Sequence, residues 1–444
     1  MAFRAFLAGV LVLGALAPLH AQAPLTLDEA VARALAGNPD LAAAAAAVDG
    51  AGARVDQARA GYLPRVDLVE SWQRGDAPLF AFSALLGARQ VTPADLDTAR
   101  LNQPDVGNYF RAGLVVQQTV FDGGQARRAV EAASLGREAA AEALRAARHD
   151  LALEVVRAYA AALVSDARAA AARQAIEAAT ADKARVDARR DAGLATDADV
   201  LAIAAHVADV ESRAIQAEAD ADTSRARLNR LMAAPLDQPL VLVEPAPPPP
   251  AGAVDLATET RAAEAARPET RAARLQASIA AATRSAAAAP FLPQVAVQAG
   301  YEWTGRTFAD RPASWVVGAE VRWNLFRGGA DRARLAEAAA GVTQAAAREA
   351  SARAAVAESV FAARRQLDAA RARDAVGRAA IAQAREAERV TRERYEAGLA
   401  SVTDLLRAAT ATLDSETRAA GARLDLVMTA ALVAHAAGDP LFLP

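Results

Sequence analysis

The sequence predicts a mixed α and β membrane protein built as an internal duplication. Each copy supplies two bilayer-length strands and one long helical hairpin. Three observations lead there. First, short motifs recur in the same order. Tyr62-Leu63-Pro64 returns as Phe291-Leu292-Pro293, Val120-Phe121-Asp122-Gly123-Gly124 as Leu325-Phe326-Arg327-Gly328-Gly329, and Ala192-Gly193-Leu194 as Ala397-Gly398-Leu399. Such self-similarity means one structural unit used twice. Second, residues between these motifs alternate with period two over about ten positions, the length a tilted strand needs to cross a bilayer. Third, residues 125–192 and 330–397 contain no proline and little glycine. Each run is long enough for a continuous helix of roughly 100 Å at about 1.5 Å per residue.

Composition fits this shape. At 444 residues the chain exceeds one ordinary core. It is 53% hydrophobic but only 5% aromatic, much of the apolar content being alanine, which suits closely packed helices. A net charge of −3 gives no electrostatic preference for nucleic acid. Cysteine is absent, which excludes disulfides, thiolate metal sites and a thiol nucleophile. Arg4, the apolar run from Ala5 to Leu16 and the small residues ending Ala21-Gln22-Ala23 have the order of a secretory leader over residues 1–23. No later stretch reads as a spanning helix, so an exported chain of this kind is soluble or crosses by strands.

The elements follow in order. The first repeat is expected over residues 24–235 and the second over 254–444, with a stiff proline-rich linker at 236–253 that includes Pro247-Pro248-Pro249-Pro250. Each repeat opens with a broken helix. The first is capped by Thr26 or Asp28 and interrupted at Asn38-Pro39; the second starts at Asp255 and breaks at Arg267-Pro268. Strands come next, with Val66, Leu68 and Trp72 on one face and Leu114, Val116 and Val120 on one face. In the second repeat Val295 to Trp303 and Trp315 to Leu325 alternate more cleanly. All four tryptophans (Trp72, Trp303, Trp315, Trp323) fall in these runs, as interface aromatics of a membrane barrel do. A soluble sandwich also uses tryptophan, but it does not explain strand pairs separated by long helices. Four strands cannot close a barrel, and an open edge in lipid is forbidden, so the membrane reading requires an oligomer. A trimer gives about twelve strands, within the known range.

Pro64 and Pro293 begin the first strand of each pair. The pairs Gly123-Gly124 and Gly328-Gly329 close the second, where an abrupt strand-to-helix joint needs glycine. These six residues are expected at the junction of barrel and helices. The long helices stop at Ala-Gly-Leu turns, with Gly193 and Gly398 as left-handed ends and Thr196 and Ser401 as caps of the returning helices. Heptad spacing (Leu335, Val342, Val356; Val360, Leu367, Ile381; Leu406, Leu413, Ala420, Val427) indicates lateral helix packing. The first strand pair is joined by a longer connection, Gln73 to Asn108, expected as a large outer loop that folds over the barrel mouth. The four histidines stand singly on helices or in the leader, and no phosphate loop, nucleophile elbow or His-Glu-x-x-His occurs. No catalytic, cofactor or metal residue is therefore assigned.

On these motifs, together with Leu27-Asp28-Glu29-Ala30 and Arg394-Tyr395-Glu396-Ala397-Gly398-Leu399 leading to Asp404-Leu405-Leu406, the chain resembles the TolC family of outer-membrane efflux proteins. The resemblance implies a homotrimer, with four strands per chain in a twelve-stranded outer-membrane barrel and the hairpins forming a periplasmic α-helical tunnel. It implies an exit duct of a tripartite efflux pump or a type I secretion system, gated at its periplasmic tip and needing no cofactor. The turns at Gly193, Leu194, Gly398 and Leu399 would meet a periplasmic adaptor protein and, through it, an inner-membrane pump. Asp404 would lie at the tunnel constriction, with Arg407 one turn on where a second aspartate can occur, the pair tying helices in the closed state. The alternative is a periplasmic adaptor itself. Adaptors normally carry one hairpin in a lipoyl-like domain, and two hairpins with two strand pairs argue against it.

Overall fold

In a computed structural model, residues 24–246, 248 and 255–439 are described. The leader and most of the tetraproline lie outside them. The first repeat begins with α1 (Leu27–Gly37) and α2 (Pro39–Arg59). Thr26 and Glu29 form the capping box of α1. Asn38 ends α1 and caps α2, its side chain accepting from the Asp40 amide at 2.9 Å, and Pro39 opens α2 without losing a bond. A 3-10 turn, Ala60–Tyr62, leads to β1 (Arg65–Gly75) and β2 (Gly107–Phe121). Then come α5 (Gln125–Asp191) and α6 (Asp197–Leu231), after α3 (Pro78–Gly87) and α4 (Thr98–Asn102) in the connection between the strands. The second repeat has α7 (Leu256–Ala266), α8 (Pro268–Ala287), β3 (Gln294–Gly305), β4 (Ala313–Arg322), α9 (Ala330–Glu396) and α10 (Val402–Ala437). Both α5 and α9 are 67 residues long.

The strands form one antiparallel sheet in the order β1-β2-β3-β4, with β1 and β4 unpaired on their outer edges. Register separates two faces. Val66, Leu68 and Trp72 of β1 stand opposite Val116, Leu114 and Phe110 of β2. Leu114 in turn faces Tyr301, and Tyr301 faces Trp315. Residues opposite each other share a face, so these side chains make one continuous apolar surface. The other face carries Arg65, Asp67, Ser71, Arg111, Gln117, Gln298, Glu302 and Glu320.

Two corrections to the sequence reading lie in the sheet. The alternation was expected to continue to Leu325, but β4 ends at Arg322. Trp323 instead turns its indole N–H to the Phe291 carbonyl at 3.1 Å, a bond the ladder does not offer there. In β2 the register shifts between Thr119 and Phe121, so Val120 leaves the alternation.

The helices form two hairpins. α6 returns along the distal part of α5 and α10 along α9, while α2 and α8 flank the proximal parts of α5 and α9. α8 also packs against α5, joining the two repeats. The largest core gathers α1, the middle of α5 and the end of α6 around Tyr159, Leu151, Val155, Leu228 and Leu231. Tyr159 is buried. Its hydroxyl lies 2.7 Å from the Leu25 carbonyl and 2.6 Å from that of Val243, and accepts from the Val243 amide at 2.9 Å. The start of the linker is therefore docked along the N-terminal segment, with a parallel bridge between Leu25 and Leu242. It is not merely a spacer.

The heptad on α10 is displaced by one residue from the sequence reading. Leu405, Thr412, Ala419 and Leu426 are buried, and Leu406, Leu413, Ala420 and Val427 are half-buried beside them. α10 touches α9, α5, α6 and α7, so several neighbours compete for its apolar sides and the largest side chains do not all face one seam. Contrary to the sequence reading, α10 is also apolar enough over 18 residues to cross a membrane by composition. Its packing along α9 and α5, and its charged Arg423 and Asp425, place it in the helical bundle instead.

Candidate functional site

Three regions hold the residues singled out by sequence. The first is the sheet. Its apolar face carries Trp72, Tyr301, Trp303 and Trp315 near the end farthest from the long helices, and Trp323 stands at the near end beside Phe291. Trp72 and Trp315 are 60% and 75% exposed on the single chain, too apolar a surface for water. Glu70 breaks the apolar pattern. Arg311 from the β3–β4 turn pairs with it at 2.6 Å while stacking 4.3 Å over the Phe308 ring, so the carboxylate is compensated on that face.

The second region is the joint. β1 and β3 start one residue after Pro64 and Pro293. Gly123, Gly124, Gly328 and Gly329 all have positive φ, and Gly124 and Gly329 are the N-caps of α5 and α9. Gly123 has a further constraint, since a Cβ there would lie 2.7 Å from the Ala289 carbonyl oxygen. Asp122 supplies the missing cap of α5, its carboxylate accepting from the amides of Gly124 at 2.9 Å and Ala126 at 2.6 Å. The second copy has Arg327 in place of that aspartate, and there Asn324 bonds the buried Asp331 at 2.8 Å.

The third region is the pair of hairpin tips. They are built alike. The Gly193 amide bonds the Arg190 carbonyl and the Leu194 amide the Arg189 carbonyl, both at 2.8 Å; Gly398 and Leu399 repeat this with Tyr395 and Arg394 at 3.0 and 2.7 Å. These are Schellman ends, which explains the two glycines. The following apolar residue, which often packs back on the helix, is 67% exposed at Leu194 and 69% exposed at Leu399. Thr196 with Asp199, and Ser401 with Asp404, form capping boxes on α6 and α10.

Asp404 is therefore engaged. Its carboxylate accepts from the Ser401 hydroxyl at 2.7 Å and the Ser401 amide at 3.2 Å, and these bonds hold its pKa below the usual carboxylate range, with Arg407 a smaller contribution. Both residues are exposed on the single chain. The expected Asp404–Arg407 ion pair is not formed among the described residues.

The contact that joins the hairpins was missed by sequence reasoning. The guanidinium of Arg189 lies 5.0 Å over the Tyr395 ring and donates to the Glu396 carbonyl at 3.1 Å, an orphan at the end of α9. Around it Val186, Ile203, Tyr395, Val402 and Leu405 make a small core from both hairpins. Tyr395, an aromatic far down an alanine-rich helix, was the available signal. The histidines are not all isolated either. His435 bonds Asp150 at 3.0 Å, and its ring is 6.4 Å from that of His149. No cluster that could hold a metal occurs among the described residues.

The fold recurs in known channels. The chain superposes on a membrane protein from Pseudomonas aeruginosa with a TM-score of 0.77 at 23% identity, covering 93% of this chain and 90% of that one. For the outer membrane protein VceC of Vibrio cholerae the TM-score is 0.75 at 22% identity, covering 94% and 96%. For the open state of the MtrE outer membrane channel of Neisseria gonorrhoeae it is 0.72 at 20% identity, covering 94% and 89%. No curated protein matches the chain. The sequence model of the outer membrane efflux proteins matches residues 30–234 and 260–439, one span in each repeat. The two-faced sheet and the paired hairpins are the structural counterpart of that double match, and the chain belongs to the outer membrane efflux protein family: it is an efflux channel of the outer membrane that extends into the periplasm.

Proposed function

We propose that three copies assemble into one passive duct, sealed in lipid by a twelve-stranded barrel and gated at the hairpin tips. One observation carries this: a sheet apolar on one face and polar on the other, open at both β1 and β4. β1 and β4 run in opposite directions, so β4 of one copy continues the antiparallel ladder on β1 of the next. Left open in hydrocarbon, each unpaired backbone group would cost several kcal/mol. The helices support the same ring. α8 bridges α9 and α5, whereas its counterpart α2 packs on α5 alone among the long helices. Repeating the α8 contact places α2 against α9 of the neighbour.

At the far end, exposed Leu194 and Leu399 offer apolar knobs to the adaptor protein of a tripartite assembly, with an inner-membrane pump supplying energy. Asp404 and Arg407, both near the tip of α10, would ring the constriction. The Arg189–Tyr395 contact holds the α9–α10 hairpin against α5–α6 at rest. Detergent-extracted protein is expected to run as a trimer and to show low single-channel conductance in a planar bilayer. Tyr395→Ala with Arg189→Ala is expected to raise that conductance several-fold. A monomer, or material that conducts no ions with or without those changes, overturns the proposal.

A further inference from the structure

The connection between β1 and β2 is longer than its counterpart and is not a simple loop. It holds an apolar helix, α3, two of whose leucines, Leu79 and Leu86, face away from its own core. Ala81, Ala84 and Ala88 are the buried positions, with Ala81 and Ala84 clustered against Tyr109 of β2. Phe80 meets the Tyr109 ring edge to face with centroids 4.8 Å apart. Gly87 lies so near β3 that a Cβ there would come within 3.2 Å of the Thr304 methyl. Arg89 extends the attachment, donating to the Ala313 carbonyl at 2.9 Å. Phe82 and Leu85 line one cleft with Leu101 of α4. That leaves Leu79, 80% exposed, and Leu86, 53% exposed, on the side away from the sheet. A helix bordering water has the reverse arrangement, with small or polar residues outward and leucine inward.

The side of the sheet decides what can cover them. Arg111 stands opposite Thr304, and Tyr109 is two residues from Arg111, so Tyr109 and Thr304 belong to the polar face. α3 therefore lies on the lumen side, at the end farthest from the long helices, where lipid does not reach. Twelve strands about 4.8 Å apart, tilted about 40°, make a ring of roughly 12 Å radius. A helix seated on that wall through alanine has its axis about 8 Å inside it, which leaves roughly 4 Å to the three-fold axis. Three helices in mutual contact at about 8 Å spacing need roughly that much. No room remains for a separate partner.

We propose that the three copies of α3 meet on the channel axis and close the outer mouth through Leu79 and Leu86. The occupant of each exposed face is thus the same helix of the two neighbouring copies. This rests on the trimeric barrel proposed above. It gives the duct an apolar constriction that narrows the path and resists the passage of water and ions, in series with the polar tip at the opposite end.

The chain has no cysteine, so single cysteines are clean probes. Leu79→Cys and Leu86→Cys are to be treated with a three-armed maleimide in outer-membrane vesicles, with Gln298→Cys on the barrel wall as control. Covalent trimers are expected from position 79 or 86 and none from 298. Independently, on the Arg189→Ala/Tyr395→Ala background that opens the tip, the added pair Leu79→Asp/Leu86→Asp is expected to raise single-channel conductance at least twofold. A native trimer that yields no covalent species at 79 or 86, or an added pair that leaves conductance unchanged, overturns the closure while leaving the barrel intact. A native monomer overturns the barrel and the closure with it.

Discussion

Asp404 is doubly placed, as a helix cap and as a residue near the proposed constriction. The pattern Ser401-x-x-Asp404 spells a capping box in the sequence, whereas a gating role for Asp404 is implied by the family resemblance alone. The structure shows the same chemistry at Thr196 and Asp199, a position with no assigned part in the gate. The comparison separates the roles. Replacing either aspartate by alanine removes the N3 half of its capping box and should lower the melting temperature slightly. Only Asp404→Ala should also raise single-channel conductance. Equal conductance of Asp404→Ala and Asp199→Ala would leave Asp404 a cap and nothing more. Arg407→Ala, with no ion-pair partner to lose among the described residues, should leave the melting temperature unchanged and move conductance alone.

At the scale of elements, the joint glycines are not equivalent. Gly124, Gly328 and Gly329 need a left-handed backbone but have open space around a Cβ. Alanine at any one of them should cost about 1–2 kcal/mol, the ordinary penalty of that conformation. Gly123→Ala meets the Ala289 carbonyl as well and should cost more, read as a lower melting temperature than the other three variants. The elements also show how far the sequence was legible. Val295 to Trp303 could be read because one face of the sheet is apolar and the other polar, which imposes a strict alternation. The end of β4 could not. Alternation persists through Trp323 and Leu325 after the ladder hydrogen bonds stop, and the indole N–H finds a partner only in the 3-10 turn Ala289–Phe291. α3 was hidden for a related reason. Pro78-Leu79-Phe80-Ala81-Phe82 has no one-sided pattern, because its alanines pack towards the sheet while Leu79 and Leu86 stay exposed on the other side. The Arg189–Tyr395 contact joins two repeats far apart in sequence, and no local spacing encodes it.

For the whole molecule, the two faces of the sheet make opposite demands on neighbouring residues. Val297 and Gln298 are adjacent in β3, one apolar and one polar by register. Val297→Arg puts a charge into hydrocarbon at a cost of about 2–4 kcal/mol per chain near the bilayer centre, and should abolish the heat-sensitive trimer in outer-membrane fractions. Gln298→Arg should assemble normally and shift ion selectivity towards anions in a planar bilayer. If both variants assembled equally well, the assignment of faces would be wrong. In the proposed trimer the two strand edges and the flank of α2 would be covered by a second copy, while the apolar face would meet lipid.

The matched lengths of α5 and α9 act as a ruler. Because both hairpins have the same reach and end in the same turn, three chains would present six near-equivalent points in one plane. A partner with sixfold symmetry could then seat squarely on a threefold one. An insertion of one heptad into α5 alone would lift three of those points clear of contact, so evolution can lengthen this duct only by changing both repeats together.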